Sequence, residues 1–513
     1  MSGSIRSSSE WTRDHEVNAD VCIIGSGAGG SVLAAGLCAA GLDVVMLEEG
    51  GHHTVQDFRA LDEAVNTPML YQERGTRATS DLAITILQGR SVGGGTTINW
   101  TTCFRTPDRI LAHWRRHHGL EAWTPSDLRP HFEAVEQRLH IHRWKEELLN
   151  GNNQALWRGC HALGWEAEVL RRNVKGCANS GYCGFGCPFD AKQAMHLTFL
   201  PDAVAAGLQL WADTRAERIE VEGGRAVAVH AVAMDPDRDR AAGHRLTVRA
   251  KVIVSSGGAI NGTALLLRSG LSQGPVGRRT FLHPVIAVAG AYDERISPWY
   301  GAPQSASSHQ FIERGPEHVG FFMEACPLHP SLTGGAFPLF GEAQLDVMCQ
   351  LAHTSALLAL HVDGLVEGDD GGVVSLRGDG RVAVDYPVRA PLIEAMRASH
   401  EALCRVHLAA GATEARTLHL SPVRVSEQAH LARLDTVPYG AHEHAIFTAH
   451  QMGGCAMGAS AERSVVDSDL RHHHVPNLFC VDGSVFPTAL GVNPSESIYG
   501  LAHRARKAVG EAV

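Results

Sequence analysis

Apolar runs and glycine-rich turns alternate near the start of the chain in a way that predicts a βαβ unit. Residues 20–25 and 43–48 are short apolar runs typical of buried strands, and the small residues of 29–41 between them favour a helix. A strand, a helix and a second strand in this order pair in parallel through a right-handed crossover. The N-terminal segment therefore predicts the beginning of an open α/β sheet.

The pattern changes further along the chain and indicates a second domain. Residues 207–255 predict strands joined by turns, whereas 283–445 alternate apolar and polar positions and contain one clear helix near 391–410. The last segment returns to small, glycine-rich, strand-turn-helix character. The predicted organisation is an α/β fold with a Rossmann-like domain from residues 17–282 and 446–513, an inserted helical and cysteine-rich segment at about 111–205, and an antiparallel-sheet substrate domain at 283–445.

Length, charge and cysteine content exclude several classes of protein. The chain has 513 residues, which favours more than one domain, and its net charge of −10 disfavours a nucleic-acid partner. No apolar run is long enough to predict a transmembrane segment, and the polar N-terminus lacks the apolar core of a signal peptide, so we expect the cytoplasm. Twelve cysteines in a chain of this length do not form a disulfide scaffold. The sequence sets no oligomeric state.

The first glycine-rich turn has the pattern of a dinucleotide site. Gly25, Gly27 and Gly30 follow a predicted strand and open a small-residue helix, and Glu48 ends the next strand. The first glycine permits a tight turn, the second allows the pyrophosphate to approach the helix N-terminus beside Ala28, and the third permits close packing. Glu48 is expected to accept hydrogen bonds from the adenosine ribose, which disfavours NADP.

A second glycine-rich loop identifies the dinucleotide through a family resemblance. The loop runs from Gly89 to Trp100, and its backbone is suited to lie against a flat ring. The chain resembles the glucose-methanol-choline (GMC) oxidoreductases, which bind FAD, and within them the long-chain alcohol oxidases. Four blocks in the family's order carry the resemblance: residues 21–50, 89–99, 257–270 and 450–494.

The resemblance implies further cofactor contacts and a mode of attachment. Some relatives attach FAD covalently to a histidine at the position of Ile98, so the resemblance implies that FAD is non-covalent here. Asp482 and Gly483 are expected at a helix start near the flavin or the pyrophosphate, although a plain N-cap role for Asp482 stays open. The remaining expected cofactor contacts are Gly93, Gly94, Thr97, Asn99 and Asn493.

His450 and Asn493 match the catalytic pair of the family. Oxidation of an alcohol by hydride transfer requires removal of a proton, which a neutral imidazole can accept, and a polar group that holds the alcohol oxygen. Pro494 restricts Asn493 to extended backbone and is expected to aim its side chain. We therefore expect His450 to be the base and Asn493 its partner. By contrast, His442, His444 and the run 472–474 are expected to be solvated loop histidines and not metal ligands.

A cysteine-rich loop leaves two interpretations open. Cys177, Cys183 and Cys187 precede Pro188, a spacing that resembles iron–sulfur ligand loops of some electron-transferring GMC dehydrogenases. Long-chain alcohol oxidases have a similar loop, here completed by Lys192, with no cluster implied. We favour a glycine-rich loop with buried or partly paired thiols and no metal.

The leading hypothesis is an FAD-dependent enzyme that oxidises an apolar alcohol (long-chain, terpenoid, steroid or aryl) and passes electrons to oxygen or another acceptor. The alternatives are an electron-transferring alcohol or polyol dehydrogenase that uses the cysteine loop, and a non-redox flavin lyase. Oxygen reactivity depends on small cavities near the flavin, so the motifs do not separate an oxidase from a dehydrogenase.

Overall fold

The predicted βαβ unit is present and belongs to an eight-stranded sheet. A computed structural model of the chain describes residues 3–513. Strand His15–Ile24 pairs in parallel with Val44–Leu47, and helix Ala28–Ala39 connects them. The first strand is longer than predicted because residues 15–19, which alternate in polarity, pair with 246–250 of a neighbouring strand.

This first sheet is assembled from distant parts of the chain. Strand Leu478–Cys480 pairs in parallel with the end of Ala241–Ser255, which itself pairs in parallel with His15–Ile24. The carboxyl ends of these strands and of Val44–Leu47 therefore meet at one edge. The order of the strands is Ser4–Ser7, Gln209–Ala212, Val44–Leu47, His15–Ile24, Ala241–Ser255, Arg225–Met234 and Thr214–Glu222, with Leu478–Cys480 attached to Ala241–Ser255.

The predicted antiparallel sheet is also present and has nine strands. Helix Ala390–Ala409, close to its predicted bounds, packs against it. The sheet also takes in three short strands from outside residues 283–445. Its strands are Arg424–Val425, Glu414–Thr417, Val285–Ala291, Thr354–His361, Phe321–Ala325, Ala306–Ser308 and Glu168–Val169 in order, with Ile446–Thr448 joining Val285–Ala291 to Ile84–Ile86.

Two smaller sheets and the helices complete the fold. Two consecutive helices are Asp108–His118 and Pro125–Arg138, and Thr124 caps the second helix with a capping box. One smaller sheet has four strands, Val382–Asp385, Gly372–Leu376, Arg278–Phe281 and Met452–Gly453. The other has three strands, Thr102–Cys103, Arg171–Asn173 and Ile141–Arg143. The other α-helices are Val55–Phe58, Glu63–Leu70, Gly151–Ala162, Phe199–Ala205, Asn261–Arg268, Pro330–Ala336, Gly341–Cys349 and Ser495–Gly510.

The apolar core follows the two large sheets. One buried cluster surrounds the first sheet, and a second fills the space between the nine-stranded sheet and its covering helices. None of the helices within residues 3–513 combines the length and the apolar character needed to cross a bilayer.

Candidate functional site

One cavity of about 310 Å³ is lined by residues of both large sheets and of both ends of the chain. It brings together most of the residues expected from the sequence. Lining residues among them are Gly25, Gly27, Ala28, Glu48, Gly94, Asn99, His450, Asp482, Gly483 and Asn493. Gly30, Gly93 and Thr97 do not line the cavity, although their chain neighbours do.

The glycine turn is shaped by close backbone contacts. Gly25 has a φ of +103°, and a Cβ atom there would lie 2.3 Å from the carbonyl oxygen of Ser256. A Cβ atom on Gly30 would lie 2.0 Å from the carbonyl oxygen of Gly25, so this glycine lets the helix pack on the turn. Sequence reasoning missed Gly29, where a Cβ atom would lie 1.8 Å from the carbonyl oxygen of Val481. The C-terminal segment is therefore pressed against the start of the helix.

Glu48 lies at the carboxyl end of its strand and is buried, with 7% of its surface exposed. Its Oε2 accepts hydrogen bonds from Ser26 N and Ser26 Oγ at 2.9 and 2.6 Å, and its Oε1 accepts one from Gly50 N at 2.8 Å. Burial raises the pKa of this carboxyl to about 7, against the hydrogen bonds, which lower it. One lone pair of Oε1 is left for a ribose hydroxyl.

The second glycine-rich loop touches the first. A Cβ atom on Gly94 would lie 2.7 Å from Gly27 Cα, and Gly93 N donates to Ser26 Oγ at 3.0 Å. Because the two loops meet with no side chain between them, both can approach the same ligand. Ile98 lines the cavity at the position where some relatives carry a histidine.

Lys192 connects this loop to the cysteine-rich loop. Its ammonium donates to the carbonyl oxygens of Thr97, Asn99 and Cys183 at 2.5, 3.2 and 2.7 Å, and only 2% of the residue is exposed. Burial lowers the pKa of Lys192 to about 8. Within the described chain, nothing bonds to the buried Oδ1 of Asn99, which leaves it available to a ligand.

Asp482 caps a turn, which is one of the two roles left open by the sequence, and it also lines the cavity. Its Oδ1 accepts from Ser484 N at 2.8 Å and so caps the short 3₁₀ turn Gly483–Val485. Its Oδ2 accepts from Gly258 N at 2.8 Å and joins the C-terminal segment to the turn that follows strand Ala241–Ser255. Burial raises the pKa of Asp482. The residue therefore fixes one wall of the cavity as well as capping a turn.

His450 and Asn493 are brought together as expected. His450 Nε2 lies 3.4 Å from Asn493 Nδ2, and His450 N donates to Thr448 Oγ1 at 3.1 Å. Burial lowers the pKa of His450 to about 4, so its imidazole is neutral near pH 7. A neutral imidazole on the wall of the cavity has the protonation state that a general base requires.

His283 faces His450 and was missed as a site residue. The two Nδ1 atoms lie 3.1 Å apart, and burial holds the pKa of His283 well below its usual range. Gly491 N donates to His283 Nε2 at 3.1 Å, which leaves the proton of His283 on Nδ1, directed at His450. Acceptance of a proton at His450 Nε2 requires the opposite arrangement, with the proton on Nδ1 of His450. His283 then carries its proton on Nε2 and no longer accepts from Gly491 N, so this arrangement costs that hydrogen bond.

The nine-stranded sheet gives the cavity an apolar wall. Val285, Leu358, Leu360 and Phe447 line it, and all four belong to strands of that sheet. Gln304 also lines the cavity and adds a polar group to it. Such a wall suits a substrate with an apolar body and one polar end.

The cysteine loop and the histidine runs are the parts of the sequence in which metal ligands were considered. Cys177, Cys183 and Cys187 are free thiols, and among residues 3–513 no three His, Cys, Asp or Glu side chains are placed to hold a metal ion. The iron–sulfur interpretation therefore gains no support. The expectation of solvated histidines was wrong for His444 and His472, which are 4% and 1% exposed, because they pack against neighbouring side chains.

Family models match most of the chain. A model described as "GMC oxidoreductase" matches residues 67–285, a second model with the same description matches 372–502, and an "FAD binding domain" model matches 18–87. An uncharacterized GMC-type oxidoreductase of Mycobacterium tuberculosis is 34% identical over 493 residues, which cover 94% of this chain and 74% of the relative. A long-chain-alcohol oxidase of Arabidopsis thaliana is 30% identical over 519 residues, which cover 95% and 67% of the two chains.

Solved structures show the same fold at lower identity. Pyridoxine 4-oxidase from Mesorbium loti superimposes with a TM-score of 0.71 at 19% identity, covering 96% of this chain and 99% of that chain. A formate oxidase of Aspergillus oryzae superimposes with a TM-score of 0.70 at 14% identity, covering 96% and 98%.

Proposed function

Because the chain belongs to the GMC oxidoreductase family, we propose that it oxidises an apolar alcohol to the corresponding carbonyl compound with non-covalent FAD and passes the electrons to oxygen. One observation carries the proposal: a single cavity contains the dinucleotide turn, the His450–Asn493 pair and an apolar wall. The similarity to long-chain-alcohol oxidases supports an alcohol as the substrate and oxygen as the electron acceptor.

The residues of the cavity fit FAD, and different residues would hold its pyrophosphate, its ribose and its flavin ring. Gly25, Gly27 and Ala28 surround the helix N-terminus that would hold the pyrophosphate, and the free lone pair of Glu48 would accept from the ribose. The orphaned Oδ1 of Asn99 would meet the flavin ring. FAD, when bound there, supplies the acceptor for the hydride. We propose non-covalent binding because Ile98 has no nucleophilic atom.

The protein groups then act on the alcohol. Asn493 holds the alcohol oxygen, and His450 accepts its proton at Nε2, with its own proton on Nδ1 facing His283. The apolar wall orients the carbon chain and excludes water from the reacting atoms. Val285, Leu358 and Phe447 contact the body of the substrate in this arrangement.

A panel of alcohols tests the proposal. The purified protein is mixed anaerobically with long-chain, terpenoid, steroid and aryl alcohols while the flavin absorbance is followed, and peroxide is measured in air. His450→Ala should slow flavin reduction by about 10²–10⁴-fold, the usual contribution of a general base, with FAD still bound. The exposed His442 provides the matched control, His442→Ala. Equal reduction rates in the wild type and His450→Ala would contradict the assignment.

A further inference from the structure

A fully buried carboxyl, Glu324, lies next to the cavity. It belongs to strand Phe321–Ala325 and is 0% exposed. Its cross-strand neighbour Leu358 lines the cavity, so Glu324 is on the face of the sheet that is directed towards the site. Across the described chain, no Arg, Lys or His lies within ion-pair distance of Glu324.

Glu324 bonds to two amides that line the cavity. Its Oε2 accepts from Gln304 Nε2 at 2.9 Å and from Asn493 Nδ2 at 3.3 Å. Gln304 Oε1 in turn accepts from Thr102 Oγ1 at 2.9 Å, and Asn493 approaches His450. These contacts form one chain of hydrogen bonds around the space available to the alcohol oxygen.

Two oxygen atoms in this series of hydrogen-bonded side chains have no hydrogen-bond partner in the described part of the chain. Among residues 3–513 nothing bonds to Glu324 Oε1 or to Asn493 Oδ1, although both are buried. A buried polar atom without a partner is costly, so these atoms mark space for a ligand. Glu324 takes one N–H of Asn493, and the second N–H is directed towards His450 and remains for the oxygen of the substrate.

Stability does not account for this carboxyl. An isolated buried carboxyl is costly, and apolar residues of similar volume are often neutral or better at such positions. Burial raises the pKa of Glu324 to about 8, so the group is a neutral acid near pH 7. Titratable groups on the surrounding elements include His283, His309 and His450, which burial keeps neutral, and Cys326, whose pKa burial raises. Arg109, which faces His283 and His309, carries the remaining charge.

We propose that Glu324 is a positioning residue for alcohol oxidation, which holds the amides of Asn493 and Gln304 so that the second N–H of Asn493 donates to the alcohol oxygen while His450 accepts the hydroxyl proton. The proposal rests on the proposed function. Ionised Glu324 places a negative charge close to the oxygen on which negative charge develops in the transition state. The neutral acid is therefore the active form, and activity declines as the carboxyl ionises.

Two substitutions test this role. Glu324→Gln keeps an acceptor for both amides but cannot ionise, and Glu324→Leu removes the acceptor. We expect Glu324→Leu to lower the limiting rate of anaerobic flavin reduction by about 10- to 100-fold, as for a misplaced substrate-orienting group, with FAD content and visible spectrum unchanged. We expect Glu324→Gln to stay within about threefold of the wild type at pH 7 and to lose the decline in rate above about pH 8.

The controls separate the possible failures. Glu317→Gln, at an exposed glutamate on the loop before the strand, should keep the wild-type pH profile. A Glu324→Leu variant that reduces flavin at the wild-type rate overturns the proposal, and so does a Glu324→Gln variant that keeps the alkaline decline. If Glu324→Leu does not fold, the pH profile of Glu324→Gln decides. Failure of the wild type itself to reduce flavin with every alcohol would instead refute the proposed function.

Discussion

Glu48 should make FAD binding dependent on pH near neutrality. Burial raises the pKa of this carboxyl to about 7 in the protein without ligand. Ribose hydroxyls donate to the ionised carboxylate, whereas the protonated form has lost one acceptor. Binding of FAD should therefore release a proton, and the affinity should rise as the pH increases through 7.

The size of the effect follows from the pKa of about 7. At pH 6 about one Glu48 side chain in eleven is ionised, and at pH 8 about ten in eleven. If the ionised form binds, the apparent Kd for FAD is about tenfold higher at pH 6 than at pH 8, or about 1.4 kcal/mol. The stability of the apoprotein should follow the opposite trend, because a carboxyl with a raised pKa in the folded state loses its stabilising contribution as the pH rises through that pKa.

Titration of the apoprotein with FAD, followed by flavin fluorescence at pH 6, 7 and 8, measures this directly. Glu48→Gln should bind FAD more weakly and with a flat pH profile. Glu222→Gln, at an exposed carboxyl on the same sheet, should retain the tenfold change. A wild-type Kd that varies by less than twofold across this range, or a tenfold change that persists in Glu48→Gln, would refute the reasoning.

Two further substitutions test the architecture of the site. Gly29→Ala places a Cβ atom 1.8 Å from a backbone oxygen, so we expect loss of FAD binding or of soluble protein. The control Gly510→Ala, whose Cβ atom has its nearest contact at 3.9 Å, should be neutral. Normal FAD content in Gly29→Ala would contradict this expectation. Lys192→Met leaves three carbonyls without their donor and should lower the free energy of unfolding by about 2 kcal/mol and weaken FAD binding. Lys175→Met, at an exposed lysine, is its control in denaturant unfolding, and equal stability of the two variants would show that the buried ammonium does not order the loop.

The local patterns predicted the elements whose signals are contained in short segments. The βαβ unit, the helix near 391–410 and the antiparallel strands within 283–445 are all present, because each depends on periodicity within a short segment. Strand Ser4–Ser7 was not predicted, since this short and mostly polar segment becomes a strand only by pairing with Gln209–Ala212. Tertiary pairing decides such cases and leaves no local signal.

The site was predictable where a motif specifies a role. Gly25, Glu48 and His450 belong to such motifs, and the structure places them on one cavity. Glu324 and Gln304 belong to ordinary strand and loop sequence. Their contacts in the site become visible only in the folded protein, where Glu324 bonds to both Gln304 and Asn493. Similarly, Lys192 was visible as part of a loop pattern, but its three carbonyl partners come from separate segments.

The pairing of Leu478–Cys480 with Ala241–Ser255 has a consequence for synthesis on the ribosome. A nascent chain that has emerged only as far as residue 440 possesses the glycine turn and Glu48 but lacks one strand of the sheet and the wall that carries His450 and Asn493. Contacts between positions so far apart in sequence form slowly and late. Binding of FAD is therefore expected to follow translation of nearly the entire chain. A chain that has bound FAD is then one in which this sheet is complete.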